Sequence, residues 1–131
     1  MINLPKNEKT FMFEKIGEIT SFKYEGQFVV KCALSLSDKR LIEIEKSRLS
    51  MDLQNPTANL DAIARLIANL RVRVISGPEW FNQQINTMSI LDEDVVFDVY
   101  TECVKASEDR INDLKKESNN GDTPGNAQKG S

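Results

Sequence analysis

Two hydrophobic periods divide this chain, and the change from one to the other limits the folds open to it. In the first third, Phe28, Val30, Cys32, Leu34 and Leu36 fall at every second position, which puts them on one face of an extended strand. Upstream, Thr20, Phe22 and Tyr24 alternate with Ser21 and Lys23, and Glu25-Gly26 separates the two runs. Glycine supplies the positive φ of a tight hairpin, so the pattern, strand-like from Phe11, predicts strands through 11–24 and 27–36 joined at Gly26. From Leu60 the period lengthens. Leu60, Ile63, Ala64, Ile67, Leu70 and Val74 follow the three- and four-residue steps of a helix. Pro56 suits its first turn and Gly77-Pro78 its end.

Two further elements frame this middle helix. Ser37-Asp38-Lys39-Arg40 reads as a helix start, because a short oxygen-bearing side chain caps free backbone N–H groups. The stripe that follows is weak: Leu41 and Ile44 begin it, Glu45 and Arg48 interrupt it and Leu49 resumes it. Ile42 and Ile44 also alternate with Glu43 and Glu45, so a strand over 40–46 competes with the helix. Further on, Asp92-Glu93-Asp94 opens a long helix, since negative side chains suit the positive end of the helix dipole. Its inner stripe is Val95, Val96, Val99, Tyr100, Cys103 and Val104, continued by Ile111 and Leu114. Between Pro78 and Leu91 a linker with a short turn at Glu79-Trp80-Phe81 is expected.

The expected fold class is α+β, mainly helical, with an N-terminal β-hairpin followed by about three helices. The 131 residues suffice for one domain, and its core needs no crosslinks. Residues 1–10 are expected as a flexible arm, 11–116 as the single domain and 117–131 as a disordered tail, its composition being almost wholly polar. Cys32 and Cys103 sit in largely apolar stretches and read as buried free thiols in a reducing compartment, with a disulfide as the alternative if their Cα atoms lie within about 7 Å. No apolar run approaches a bilayer's thickness and the start is too polar for a signal peptide. A cytoplasmic protein is expected.

The residues that enzymes most often use are scarce. The chain has no histidine, which removes the commonest general base and the commonest metal ligand. Two cysteines far apart give no zinc spacing, and no phosphate-binding or nucleophile motif is present. Asp92, Glu93 and Asp94 lack the glycine-punctuated spacing of a calcium loop, and adjacent helical side chains point in different directions. No catalytic residue, cofactor or metal is expected.

What remains is binding to another protein. Trp80 and Phe81 follow a helix stop in a segment expected near the surface. Either both plug the gap between the main helices, or one is an exposed anchor of the kind common at interfaces. Residues 1–78 carry 12 basic against 9 acidic side chains, whereas 79–116 carry 4 against 9. This is no nucleic-acid footprint; the acidic residues Asp92, Glu93 and Asp94 either form a solvated helix start or favour a basic partner.

The order of these features resembles the small tail-assembly chaperones of long-tailed bacteriophages. The resemblance rests on Tyr24-Glu25-Gly26 in the hairpin, on Pro78-Glu79-Trp80 in the turn and on Leu91-Asp92 before the last helix, and spans residues 11–116. It implies a protein that holds an aggregation-prone tape-measure protein while the tail tube is built, with Trp80 and Phe81 as the apolar contacts. Two other readings stand beside it: a structural virion component such as a small tail or head-completion subunit, and a small acidic inhibitor of a host or defence protein.

Overall fold

In the computed structural model, which describes residues 7–50 and 57–121, the chain is α+β. Three strands, β1 (Glu8–Ile16), β2 (Lys23–Lys31) and β3 (Val74–Ser76), form one antiparallel sheet in the order β1-β2-β3. Three helices, α1 (Leu36–Ser50), α2 (Ala58–Arg73) and α3 (Glu93–Gly121), complete the fold.

The hairpin is present, but its turn is not at Gly26. β1 and β2 pair without a break from Glu8↔Lys31 to Ile16↔Lys23, and the chain reverses through Gly17–Phe22, where Gly17 donates to the carbonyl of Phe22 at 2.9 Å. Gly26 lies inside β2, opposite Phe13. Its φ of +152° is one that side chains rarely adopt, and an added Cβ would stand 2.7 Å from the Pro78 ring. The glycine is therefore there to let Pro78 lie against the strand, not to make a turn. Phe28, Val30 and Cys32 alternate as expected and all three are buried, but β2 ends at Lys31, short of the expected residue 36, and Leu36 is exposed at the start of α1.

Strand β1 also takes in residues expected in the N-terminal arm. Asn7 locks it further, its side chain donating to the carbonyl of Ala33 at 2.9 Å and accepting from the Ala33 amide at 2.8 Å. Residues 1–6 of the expected arm lie outside the described residues.

Residues 40–46 are helical. α1 begins at Leu36, with Ser35 and not Ser37 as its cap: the Asp38 amide donates to Ser35 Oγ at 3.0 Å while Asp38 accepts from the Ser35 amide at 2.9 Å. The weakness of its apolar stripe has a structural cause. α1 meets α2 with three ion pairs, Glu43–Arg65 at 3.0 Å, Lys46–Asp61 at 2.7 Å and Glu45–Arg71 at 3.0 Å, beside its buried Ile42.

Thr57 caps α2 by accepting from the Leu60 amide; Pro56 lies outside the described residues. The helix stops at Arg73, short of Gly77-Pro78, because Val74-Ile75-Ser76 joins β2 as a third strand, with Val30↔Val74 and Val29↔Ser76 as partners around a bulge. β-Branched residues fit that pleated surface. The expected linker after Pro78 is largely helical: it winds into a wide turn over Phe81–Ile85, in which the Asn86 amide reaches the Phe81 carbonyl at 2.9 Å. α3 runs to Gly121, past the expected boundary at 116, as propagation costs far less than nucleation. The remainder of the expected disordered tail, 122–131, lies outside the described residues.

The core sits between one sheet face and the helices, joining Phe13, Tyr24, Phe28 and Val30 to Ile67 and Leu70 of α2 and to Val95, Val96, Val99 and Cys103 of α3. Both cysteines are free and buried. Burial pushes the Cys103 thiol up to about 12.

Candidate functional site

The expected anchor residues belong to the core. Trp80 retains 9% of its exposure and Phe81 2%. The Trp80 ring lies 5.1 Å from Tyr24, 5.8 Å from Phe28 and 5.9 Å from Phe13, and its Nε1–H donates to the carbonyl of Glu25 at 2.9 Å. Phe81 meets Phe28 edge-on at 5.5 Å. The pair joins the sheet residues and those of α2 and α3 in one core cluster. Neither is an exposed anchor, because the wide turn at 81–85 folds that segment inward.

The acidic triplet is divided among three environments. Glu93 is exposed and Asp94 half-buried beside Lys15 at 3.5 Å. Asp92 is fully buried. Its carboxylate accepts from the Ile19 amide at 2.6 Å, the Thr20 amide at 3.0 Å, the Thr20 hydroxyl at 2.5 Å and the Tyr24 hydroxyl at 2.7 Å. Burial alone would raise this carboxyl. The hydrogen bonds from Thr20 and Tyr24 and from the two amides outweigh it, so its pKa is lowered to about 2. The same contact, after burial, helps to raise the Tyr24 hydroxyl. Sequence reasoning assigned Asp92 to the helix dipole; the side chain instead reaches across to the β1–β2 turn.

Gly17 makes that reach possible. A Cβ there would fall 2.3 Å from the Asp92 carboxyl carbon. Ser21, at φ 61°, completes the reversal, and Phe22 packs on Tyr24 at 4.8 Å. The turn is thus held by a buried polar clasp, yet its own apolar side chains face outward. Ile19 is 69% exposed and Leu91, next to the clasping aspartate, 63%. Ile16 and Phe22 flank the turn and are also exposed.

Periodicity singled out Phe22 as a strand residue and passed over Ile16, Ile19 and Leu91. The available signal was the run Ile16-Gly17-Glu18-Ile19-Thr20-Ser21-Phe22, in which apolar side chains sit inside a glycine- and hydroxyl-rich turn composition. An alternating pattern read through this run hid the turn.

Among the described residues no group of three or more Cys, Asp or Glu side chains could hold a metal ion, and no helix is long and apolar enough to cross a membrane. No protein-family model, no curated protein and no solved structure matches this chain.

Proposed function

We propose that this chain is a non-enzymatic protein-binding protein, an assembly factor of the type that its resemblance to bacteriophage tail-assembly chaperones implies. It works in the cytoplasm of the host cell, holding an aggregation-prone partner such as a tape-measure protein before assembly. One observation carries the reading: a fully buried carboxylate with four donors fixes a turn that exposes Ile19 and Phe22, with Ile16 at the end of β1 and Leu91 beside Asp92 exposed as well. A turn that served only to reverse the chain would more economically carry polar residues there. A rigid turn presenting apolar side chains loses little conformational entropy when a partner covers them.

The test is a solubility assay. The chain is mixed with an apolar tape-measure polypeptide diluted from denaturant, and aggregation is followed by light scattering. The wild-type chain should suppress scattering. Ile19→Asp and Leu91→Asp should not, with their own unfolding curves unchanged. Equal suppression by wild type and both variants would remove the turn from the binding surface.

A further inference from the structure

β1 is an outer strand of the sheet. Two backbone bonds bracket the β1–β2 ladder, Cys32 to Asn7 at 3.0 Å and Gly17 to Phe22 at 2.9 Å. Antiparallel ladders alternate bonded and non-bonded pairs, so the odd-numbered positions of β1 bond to β2. Glu8, Thr10, Met12, Glu14 and Ile16 therefore turn their N–H and C=O groups away from it. Among the described residues no strand lies on that side, and all five residues are exposed.

Natural sheets usually blunt such an edge with proline, a bulge or a lysine directed across it. β1 has no proline, and its pairing with β2 is free of bulges. Its two lysines are drawn toward α3, Lys15 to Asp98 at 3.0 Å and Lys9 to Asp109 at 3.5 Å. Met12, 72% exposed, occupies the midpoint.

Beside this edge runs a groove of about 370 Å3 between β1 and α3, lined by Met12, Phe13, Glu14, Asp98, Thr101 and Glu102. All of its charged lining is acidic. Asp98 is met by Lys15 and Glu14 by Lys23 at 3.3 Å, whereas Glu102 has no ion pair among the described residues.

We propose that β1 binds an extended, basic segment of a partner protein by strand addition. The main chain of the incoming segment pairs with Thr10, Met12 and Glu14, and its Lys or Arg side chains enter the groove against Glu102. Backbone pairing supplies affinity and the acidic groove selects the residue type. The edge finishes at Ile16, so a segment laid along it arrives at the turn that exposes Ile19 and Phe22. The inference rests on the protein-binding reading above and names the chemistry of the partner.

The experiment uses fluorescein-labelled synthetic peptides alternating Lys with Val, the matching Glu–Val peptide, and Lys–Val peptides N-methylated on alternate amides in either of the two registers. Binding to the full chain is read by anisotropy. The Lys–Val peptide should bind, more weakly as salt rises. The Glu–Val peptide and one of the two methylated registers should each bind about ten-fold more weakly, the loss expected when a few hydrogen bonds or charge contacts go. The other methylated register should bind as the parent does. Glu102→Gln should weaken the Lys–Val peptide several-fold. Equal binding of the Lys and Glu peptides, indifference to methylation in both registers, or a chain that closes this edge by dimerising and binds no peptide would each overturn the proposal. Failure of the peptides while the solubility assay succeeds removes strand addition alone. Register-selective peptide binding without suppression of aggregation keeps the edge site and removes the chaperone reading.

Discussion

The hydroxyl of Tyr24 donates to the carboxylate of Asp92 at 2.7 Å, joining the first residues of β2 to the start of α3 across 68 positions of sequence. The same carboxylate holds the Ile19 and Thr20 amides, so one side chain ties together the sheet, the turn and the last helix.

Acid stability should report this clasp. The folded pKa of Asp92, about 2, lies below its ordinary value of 3.8. Stability from this group is then fully present above pH 3.8 and is lost as pH falls toward 2. Asp38, lowered by its Lys31 contact and the Ser35 amide, acts in the same direction. Urea midpoints measured between pH 5 and 2 should fall in wild type and fall less in Asp92→Asn, which already lacks the charge at neutral pH. A parallel decline in both proteins would contradict the assignment.

Trp80→Ala should cost about 3–5 kcal/mol, the usual penalty for deleting a large buried aromatic side chain. The variant also leaves the Glu25 carbonyl without its donor. Chemical denaturation followed by far-ultraviolet circular dichroism checks this; a change below about 0.5 kcal/mol, the range of surface substitutions, would mean that the ring is not in the core.

Gly26→Ala should destabilise by about 1–3 kcal/mol from overpacking alone, since the new Cβ meets the Pro78 ring at 2.7 Å in a backbone conformation closed to alanine. Pairing it with Pro78→Ala should recover part of the loss. Thermal melts of the single and double variants give the coupling directly.

Cys103 should resist thiol reagents in the native protein and react at the rate of unfolding. Its folded pKa, about 12, exceeds the ordinary value of 9.0. The neutral buried thiol thus adds stability that is complete below pH 9 and lost as pH rises toward 12. Denaturation midpoints of wild type should fall more steeply above pH 9 than those of Cys103→Ala.

Ile19→Ser and Leu91→Ser should leave stability within about 0.5 kcal/mol of wild type, because both side chains are exposed. Any loss of partner binding by these variants, measured by co-purification, is then a surface effect.

The sequence by itself determined the elements whose cause is local. Phe28, Val30 and Cys32 alternate because a strand has period two. Ile63, Ile67 and Leu70 form a helical face because a helix has period 3.6. The acidic start of α3 follows from the backbone dipole. Tertiary structure decided what depends on distant partners. Val74-Ile75-Ser76 reads as the end of a helix until β2 offers it a ladder. Gly26 reads as a turn until Pro78 is seen against it. Trp80 and Phe81 read as core or as anchor until the wide turn directs them under the sheet. Asp92 reads as one of three surface charges until the Ile19 and Thr20 amides and the Tyr24 hydroxyl converge on it. Periodicity records which face of an element is apolar; it holds no information about which remote backbone or side chain will meet that face, and those meetings made the turn at Gly17–Phe22 a presented surface.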